Sequence, residues 1–290
     1  MKELVIISGK GGTGKTTFTA SFAALAKDAV FADCDVDAAD LHLLLKPEIQ
    51  QQEEFRSGLT AVINQDQCTH CGKCREVCYF DAIDATPVVN NFACEGCKIC
   101  SYVCPVAAIT MEERVCGEWY RSETPYGPMV HAKLGIVEEN SGKLVSIVRQ
   151  QAKRLAEERG KSLVLIDGPP GIGCPVISSI AGTTLVLVVT EPTLSGIHDL
   201  QRVAELTAHF RIPTFACVNK ADINPGMTKE ITHYCAEHDI EMVGEIPYDL
   251  IVARALVHHQ TIVEYAQGAV TQALRHIWQR LEQELAVRGL

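Results

Sequence analysis

Eight cysteines between Cys68 and Cys104 constrain this chain more than any other feature of its sequence. They form two runs with the same spacing, C-x2-C-x2-C-x3-C. The first run is Cys68, Cys71, Cys74 and Cys78, and the second is Cys94, Cys97, Cys100 and Cys104. Thiolates at this spacing are typical ligands of iron–sulfur clusters. We therefore expect a metal-binding module in this part of the chain.

The spacing resembles that of bacterial two-cluster ferredoxins, in which the fourth cysteine of each run ligates the cluster of the other run. Tyr79 departs from the family pattern, because a proline usually follows the fourth cysteine, as Pro105 does in the second run. Two zinc ions are the alternative, since four cysteines also suit tetrahedral zinc. The resemblance implies two 4Fe-4S clusters, one held by Cys68, Cys71, Cys74 and Cys104 and the other by Cys78, Cys94, Cys97 and Cys100.

Composition and charge disfavour several classes of protein. The chain has 290 residues, of which 13 are cysteine, and a formal net charge of -10. The negative net charge disfavours binding to nucleic acid, whose phosphates are also negative. No apolar stretch approaches the ~20 residues that are needed to cross a bilayer. The apolar run Met1–Ser8 leads directly into a glycine loop, which indicates a strand and not a signal peptide. We expect a cytoplasmic protein with reduced thiols, no nucleic-acid partner and no stable membrane insertion.

A phosphate-binding motif follows the first apolar run. Leu4 to Ile7 are continuously apolar, as in a strand buried on both faces, and the next residues satisfy G-x4-G-K-[ST]. In such a loop the backbone N–H groups surround phosphate oxygens, Lys15 contacts the β and γ phosphates, and Thr16 binds Mg2+. A glycine-rich turn without a ligand is the alternative, but the strand before it and a helix from about Thr17 to Lys27 favour the nucleotide. The predicted binding residues are Gly9, Gly11, Gly12, Thr13, Gly14, Lys15, Thr16 and Thr17.

Lys10 makes this loop resemble the deviant phosphate loop of the MinD, ParA, Mrp and nitrogenase-iron-protein group of ATPases. In that family the first lysine of the loop crosses a dimer interface. The resemblance implies that ATP and Mg2+ are bound and that Lys10 reaches the nucleotide of a facing subunit. Hydrolysis would then need a homodimer or a heterodimer with a related ATPase.

Carboxylates follow two further apolar runs. Asp33 and Asp35 come after one run, and Asp167 after another, where ligands bind in open α/β sheets. The family resemblance implies that Asp35 orients the attacking water, that Asp33 and Asp35 lie near the Mg2+ shell, and that Asp167 holds Mg2+ through water. Asp37 and Asp40 either join this site or cap a helix. The predicted catalytic residues are Lys10, Lys15, Asp35 and Asp167, and the predicted magnesium residues are Thr16, Asp33, Asp35 and Asp167.

Two later segments resemble the walls of the family's purine pocket. The first is Asn219-Lys220-Ala221-Asp222 and the second is Ile246-Pro247-Tyr248-Asp249. The resemblance implies that Asn219 reads adenine and that Pro247 and Asp249 form the opposite wall.

Cys174 has the offset from Asp167 that a cluster-bridging cysteine has in the nitrogenase iron protein. That family's second cysteine corresponds to about Ser141 here. A bridging cluster needs two thiolates from each subunit, so we expect Cys174 to be a thiol beside a mobile switch.

Alternation of apolar strands with amphipathic helices predicts an α/β fold. We expect a P-loop NTPase with a mostly parallel sheet and helices on both faces, plus an inserted bacterial-type 2x(4Fe-4S) ferredoxin module. The predicted parts are residues 1–58 and 115–290 for the ATPase domain and 59–114 for the insert. Pro47–Thr60 and Thr124–Pro128 are predicted to be connections, and Ser141–Arg159 and about Tyr265–Ala286 to be helices.

Three classes of function fit these expectations. The first is a dimeric ATPase that binds and hydrolyses MgATP, carries two 4Fe-4S clusters, and couples nucleotide state to electron transfer or metallocluster assembly with a redox or metallocluster protein partner. The second is a MinD- or ParA-like positioning ATPase in which the clusters are structural or sensory. The third is a ligase of the dethiobiotin-synthetase type, for which no carboxylate-substrate pocket can be identified.

Overall fold

The structure is a computed structural model that describes residues 1–135 and 141–288. The chain forms two compact units. The sheet unit contains residues 1–53 and 119–134 and the described residues from 141 onward, and the cysteine unit contains residues 54–118 and Gly135. The predicted boundaries, after residues 58 and 114, lie within a few residues of these divisions.

The first half of the chain contains β1 (Lys2–Ser8), α1 (Lys15–Leu25), β2 (Ala29–Asp33), α2 (Leu41–Leu45), β3 (Glu48–Ile63), α3 (Lys73–Glu76), α4 (Ile99–Val103), β4 (Ile109–Thr124) and β5 (Gly127–Leu134). The second half contains α5 (Ser141–Glu158), β6 (Leu163–Pro170), α6 (Cys174–Ile180), β7 (Leu185–Thr190), α7 (Leu194–His209), β8 (Thr214–Asn219), α8 (Pro225–Glu237), β9 (Glu241–Ile246), α9 (Leu250–Val257), α10 (Ile262–Tyr265) and α11 (Ala269–Val287).

The strands lie in the order β3-β4-β5-β2-β6-β1-β7-β8-β9. Every neighbouring pair from β5 to β9 is parallel. Only Pro125 and Tyr126 separate β4 from β5, and a connection this short joins antiparallel strands. The prediction of a mostly parallel α/β sheet is therefore confirmed. Its parallel strands all present their carboxyl ends at one edge.

Side-chain alternation along the central strands builds a core on each face of the sheet. Leu4 and Ile6 of β1 belong to one buried cluster with Phe22 and Trp278. Phe22 and Trp278 join α1 to α11, with ring centroids 5.4 Å apart. The fully buried residues Val5 and Ile7 alternate with these two and point to the opposite face.

Two predicted connections are wrong in part. Pro47–Thr60 mostly belongs to the strand β3, and Thr124–Pro128 is a two-residue turn flanked by β4 and β5. The run Gln50–Glu54 is polar and exposed, so it lacks the alternation that marks a strand. Main-chain hydrogen bonding to a neighbouring strand forms such a segment without an apolar face.

The C-terminal helix begins later than predicted. The structure places a short helix, α10, before Gly268 and a longer one, α11, after it. Leu274, Trp278, Leu281 and Leu285 of α11 are all buried, as expected for a helix that packs on its own domain. Across residues 1–135 and 141–288, the structure contains no helix with the length and apolarity to cross a membrane.

His131 on β5 is a buried histidine whose surroundings disfavour its protonation. Its Nε2 lies 2.9 Å from the Ser122 hydroxyl, and its ring stacks on Tyr120 with centroids 4.9 Å apart. Burial lowers the pKa of His131 to about 4, and His42 acts in the same direction. In the unfolded chain, His131 has its ordinary pKa of about 6.5 and takes up a proton as the pH falls below that value. In the folded chain it stays neutral down to a lower pH, so the proton favours unfolding.

We predict that this histidine costs about 1 kcal/mol of stability when the pH falls from about 7.5 to 5.5. Urea unfolding of the wild type and of His131→Gln at the two pH values measures the difference. The variant should lose that part of the pH dependence, and His276→Gln, which replaces an exposed histidine of α11, should keep it. Equal pH dependence in wild type and His131→Gln would contradict the prediction.

Candidate functional site

The glycine loop connects β1 to α1 at the carboxyl edge of the sheet. Gly12 and Gly14 have φ values of 80° and 94°, which favour glycine. Gly14 also has no room for a side chain, because a Cβ there would lie 2.6 Å from Nδ2 of Asn219. That Nδ2 donates to the carbonyl of Thr13 at 2.8 Å. The loop is therefore held from behind by the end of β8.

Lys15 is the centre of a buried network of charges. Its Nζ lies 2.9 Å from Asp167 Oδ1 and 3.2 Å from Asp35 Oδ2. Thr16 and Thr19 both donate their hydroxyls to Asp167, at 2.8 Å each. Burial disfavours the charged lysine, but Asp167 and Asp35 outweigh it and raise the pKa of Lys15. The network brings together four of the predicted residues, Lys15, Thr16, Asp35 and Asp167.

Asp33 has a different environment from Asp35. Its Oδ1 accepts the N–H of Asp35 and its Oδ2 accepts the N–H of Leu41, each at 3.2 Å. Burial raises the pKa of Asp33 well above its ordinary value, and Asp167 acts in the same direction. Burial also raises the pKa of Asp35, although Lys15 opposes it. Asp33 thus fixes the segment that carries Asp35, and Asp35 is the carboxylate directed towards Lys15.

Asp40 does not cap α2 with its side chain, although it occupies the N-cap position. The side chain of Asp33 caps α2 instead, because its carboxylate accepts the N–H of Leu41, the first residue of the helix. Asp37 is exposed.

Thr13 is a buried residue of the glycine loop whose side chain suits a bound phosphate. Its side-chain hydroxyl is buried, and no hydrogen-bond partner for it lies within residues 1–135 and 141–288. Buried hydroxyls normally have a partner, because an unpaired one costs about 1–3 kcal/mol. α1 begins at Lys15 without a side-chain cap on its N-terminus. A loop of this kind at an uncapped helix N-terminus suits a phosphate.

Lys10 does not face the buried network. Its Nζ lies 3.5 Å from Glu191 Oε2 and donates to Ser195 Oγ at 3.1 Å and to Thr193 Oγ1 at 3.5 Å. Glu191 also pairs with Lys220 at 2.5 Å. The nucleotide-facing part expected for Lys10 therefore requires it to leave these partners.

The residues predicted for the purine pocket lie at the ends of β8 and β9. The amide of Asn219 is already engaged at both ends, since its Oδ1 accepts the N–H of Lys220 at 3.0 Å. Pro247 lines a cavity together with Ala221, Asp222 and Pro225. Asp249 instead caps α9, with its carboxylate accepting the N–H of Ile251 at 2.9 Å.

Sequence reasoning missed Thr19, Glu191 and Asp199. Thr19 lies one helical turn after Lys15, which the spacing could have indicated. Glu191 follows the apolar run of β7 as Asp167 follows that of β6, so the same signal was present. Asp199 lies on α7 next to Gly9, and no nearby sequence pattern indicates this contact, because it is the fold that brings α7 close to the loop.

The two cysteine runs of the cysteine unit adopt matching backbone conformations. α3 and α4 each follow a left-handed residue, Gly72 with φ 78° and Lys98 with φ 68°. Ala82 donates its N–H to Cys78 Sγ, and Ala108 donates to Cys104 Sγ, both at 3.3 Å. These pairs stand at corresponding positions of the repeat, so each run presents its fourth sulfur as an acceptor.

Eight thiols line two cavities in the cysteine unit, four in each. One cavity is lined by Cys68, Cys71, Cys74 and Cys104, and the other by Cys78, Cys94, Cys97 and Cys100. In the part of the chain that the structure describes, no three His, Cys, Asp or Glu side chains are placed to hold a single metal ion. Cys174 is exposed at the start of α6 in the sheet unit.

Comparison with protein families decides the membership of the chain. The model of the CobQ/CobB/MinD/ParA nucleotide binding domain matches residues 4–262. The chain belongs to this family. A relative from Methanocaldococcus jannaschii, the uncharacterized protein MJ0578, is 31% identical over 97% of this chain and 96% of its own. Membership of the CobQ/CobB/MinD/ParA family confirms a nucleotide-binding domain.

Solved structures of the same fold include two MinD proteins. The Pyrococcus furiosus cell division ATPase MinD has 18% identity and a TM-score of 0.58, over 97% of this chain and 98% of that one. The Pyrococcus horikoshii septum site-determining protein MinD, complexed with Mg-ADP, has 16% identity and a TM-score of 0.56, over 99% and 98%. At these identities the likeness concerns the fold.

The contact between Gly9 and α7 gives a test of the loop geometry. A Cβ at Gly9 would lie 2.2 Å from the Cβ of Asp199 and 3.0 Å from its backbone, whereas a Cβ at Gly11 meets nothing within 4 Å. We predict that Gly9→Ala lowers the free energy of unfolding by about 1–3 kcal/mol through overpacking. Gly11→Ala should change it by no more than about 0.5 kcal/mol. Denaturant unfolding without nucleotide measures both. Similar losses in the two variants would show that α7 does not press on the loop.

Proposed function

We propose that the protein binds and hydrolyses MgATP as a dimer. The observation that carries this proposal is the buried network of Lys15, Thr16, Asp35 and Asp167 beneath the glycine loop. Lys15 is paired with two carboxylates of its own chain, Asp35 and Asp167. The β and γ phosphates of ATP offer the same negative charge at the loop, and Mg2+ in turn suits Thr16, Asp35 and Asp167, which are oxygen ligands.

The parts proposed for the individual residues follow from the resemblance and from their positions. Lys15 neutralises phosphate charge, Asp35 orients the attacking water, and Asp167 holds Mg2+ through water. The buried hydroxyl of Thr13, which has no hydrogen-bond partner among the described residues, supports a ligand in the loop. The Mg-ADP bound to the Pyrococcus horikoshii MinD supports the choice of nucleotide and metal. Asn219 and Pro247 are proposed for the adenine side of the site.

We predict that Asp35→Asn hydrolyses ATP at least about 100-fold more slowly than the wild type but still binds MgATP, because phosphoryl transfer depends on positioning and charge. Phosphate release and binding of a fluorescent ATP analogue measure the two properties. Asp40→Asn is the matched control, since Asp40 lies on the same segment and its side chain makes no capping bond. Hydrolysis by Asp35→Asn at the wild-type rate would remove Asp35 from the mechanism.

We also propose that the cysteine unit holds two 4Fe-4S clusters. Each cavity collects three thiols from one run and the fourth from the other, the arrangement of two-cluster ferredoxins. The amide donors to Cys78 and Cys104 support thiolates at these positions, since such hydrogen bonds tune cluster potentials. A bound cluster would supply one-electron transfer. The family description names only a nucleotide-binding domain, so this proposal depends on the cysteines of this chain.

Crossed ligation can be tested with cysteine variants purified without oxygen. We predict about eight iron and eight sulfide per wild-type chain, as two four-iron clusters require. Cys78→Ser should perturb the cluster of Cys94, Cys97 and Cys100 and leave the other intact by EPR, and Cys174→Ser should keep the wild-type iron content. Two tightly bound zinc ions and no sulfide would refute the clusters. A perturbed cluster of Cys68, Cys71 and Cys74 in Cys78→Ser would refute the crossed ligation.

Together the two proposals describe an ATPase that couples nucleotide state to electron transfer or metallocluster assembly with a redox or metallocluster protein partner.

A second candidate is a positioning ATPase, which the likeness to a cell division ATPase favours. Co-sedimentation with liposomes or DNA that depends on ATP would support this candidate. ATP-dependent electron exchange with a soluble acceptor and no such co-sedimentation would support the first. Hydrolysis without an added carboxylate substrate would argue against a ligase.

A further inference from the structure

Glu191 lies beside the glycine loop but is not one of the proposed catalytic residues. It directly follows β7 at the carboxyl edge of the sheet, and 14% of its side chain is exposed. Its two oxygens bind different lysines, Lys10 of the glycine loop at 3.5 Å and Lys220 after β8 at 2.5 Å. One carboxylate therefore serves two cations from two different segments.

The environment of Lys10 depends on this carboxylate. Its ammonium group lies beside Thr193 and Ser195, at the start of α7. The N-terminus of a helix carries partial positive charge and disfavours a cation. The hydroxyls of Thr193 and Ser195 accept hydrogen bonds from Lys10 but bring no charge. Glu191 is therefore the group that makes this place favourable for Lys10.

Lys220 makes the tether easy to release. If Glu191 had only Lys10 as its partner, departure of Lys10 would leave a largely buried carboxylate unpaired, which is costly. Because Lys220 remains, Glu191 stays paired after Lys10 leaves. The side chains of Lys10 and Lys220 are about a third exposed, 32% and 35%, so water screens both pairs and keeps each one weak.

We propose that Glu191 is a positioning residue that retains Lys10 inside its own chain until association of two chains over MgATP draws it away. Lys220 sets how strongly Glu191 holds Lys10. The part of this inference that concerns association rests on the proposed function, whereas the tether itself rests on contacts within one chain.

The first arm of the experiment measures the tether without nucleotide. Trace acetylation followed by mass spectrometry gives the reaction rate of Lys10 relative to the exposed Lys27 in the full chain. Glu191→Gln should raise the Lys10 rate about two- to five-fold, the range of a screened ion pair. Lys220→Gln should lower the rate, because Glu191 then has Lys10 as its remaining lysine partner. Ser195→Ala should raise it and provides a second variant should Glu191→Gln fold poorly.

The second arm measures association of the chains by sedimentation with Mg2+ and a non-hydrolysable ATP analogue. Glu191→Gln should strengthen association about two- to five-fold and Lys220→Gln should weaken it. In a Lys10→Ala background both effects should disappear, which a merely structural part for Glu191 would not produce.

Unchanged Lys10 labelling in both Glu191→Gln and Ser195→Ala would overturn the tether. Altered labelling with unaltered association would overturn its control of the dimer. Failure of the wild type to bind the analogue would refute the proposed function and the control of association with it, while the first arm would still decide the tether.

Discussion

The buried ion pair between Lys15 and Asp167 is the interaction on which the rest of the site depends. Lys15 is 6% exposed and Asp167 1%, so neither charge could remain there alone. Removing one partner of such a pair costs about 3–5 kcal/mol, because the other is left uncompensated. Through Asp35, the same lysine connects the end of β2 to the ends of β1 and β6. A ligand that displaces Asp35 and Asp167 from Lys15 would therefore alter the contacts of the segments that carry these two residues.

A second pair of charges lies at the same edge and has opposite properties. Lys10 is partly exposed and shares Glu191 with Lys220, so its contacts can exchange at little cost. The two lysines of one loop are thus held by different means. Lys15 needs a strong replacement charge before it leaves its carboxylates, whereas Lys10 responds to weak competition. This difference fits the proposed function, in which nucleotide binding would precede association of two chains.

Much of the site was readable from the sequence, because its chemistry depends on local motifs. The glycine loop directly follows β1, Asp167 directly follows the apolar run of β6, and the structure brings Lys15, Thr16, Asp35 and Asp167 together. The strand β3 was not readable, since Gln50–Glu54 has no apolar alternation and its pairing depends on distant residues. Asp249 caps α9, as an aspartate before a helix commonly does, and its place in the purine pocket stays a prediction. Contacts such as that of Gly9 with α7 depend on the fold and leave no trace in the local sequence.

The cysteine unit and the nucleotide-binding domain occur in one chain, and we propose that they act together. The decisive experiment is EPR spectroscopy of the anaerobic, dithionite-reduced protein, recorded with and without MgATP while a soluble acceptor oxidises it. We predict signals of reduced 4Fe-4S clusters whose rate of oxidation changes when MgATP is added. Absence of cluster signals, or oxidation at the same rate with and without MgATP, would contradict it.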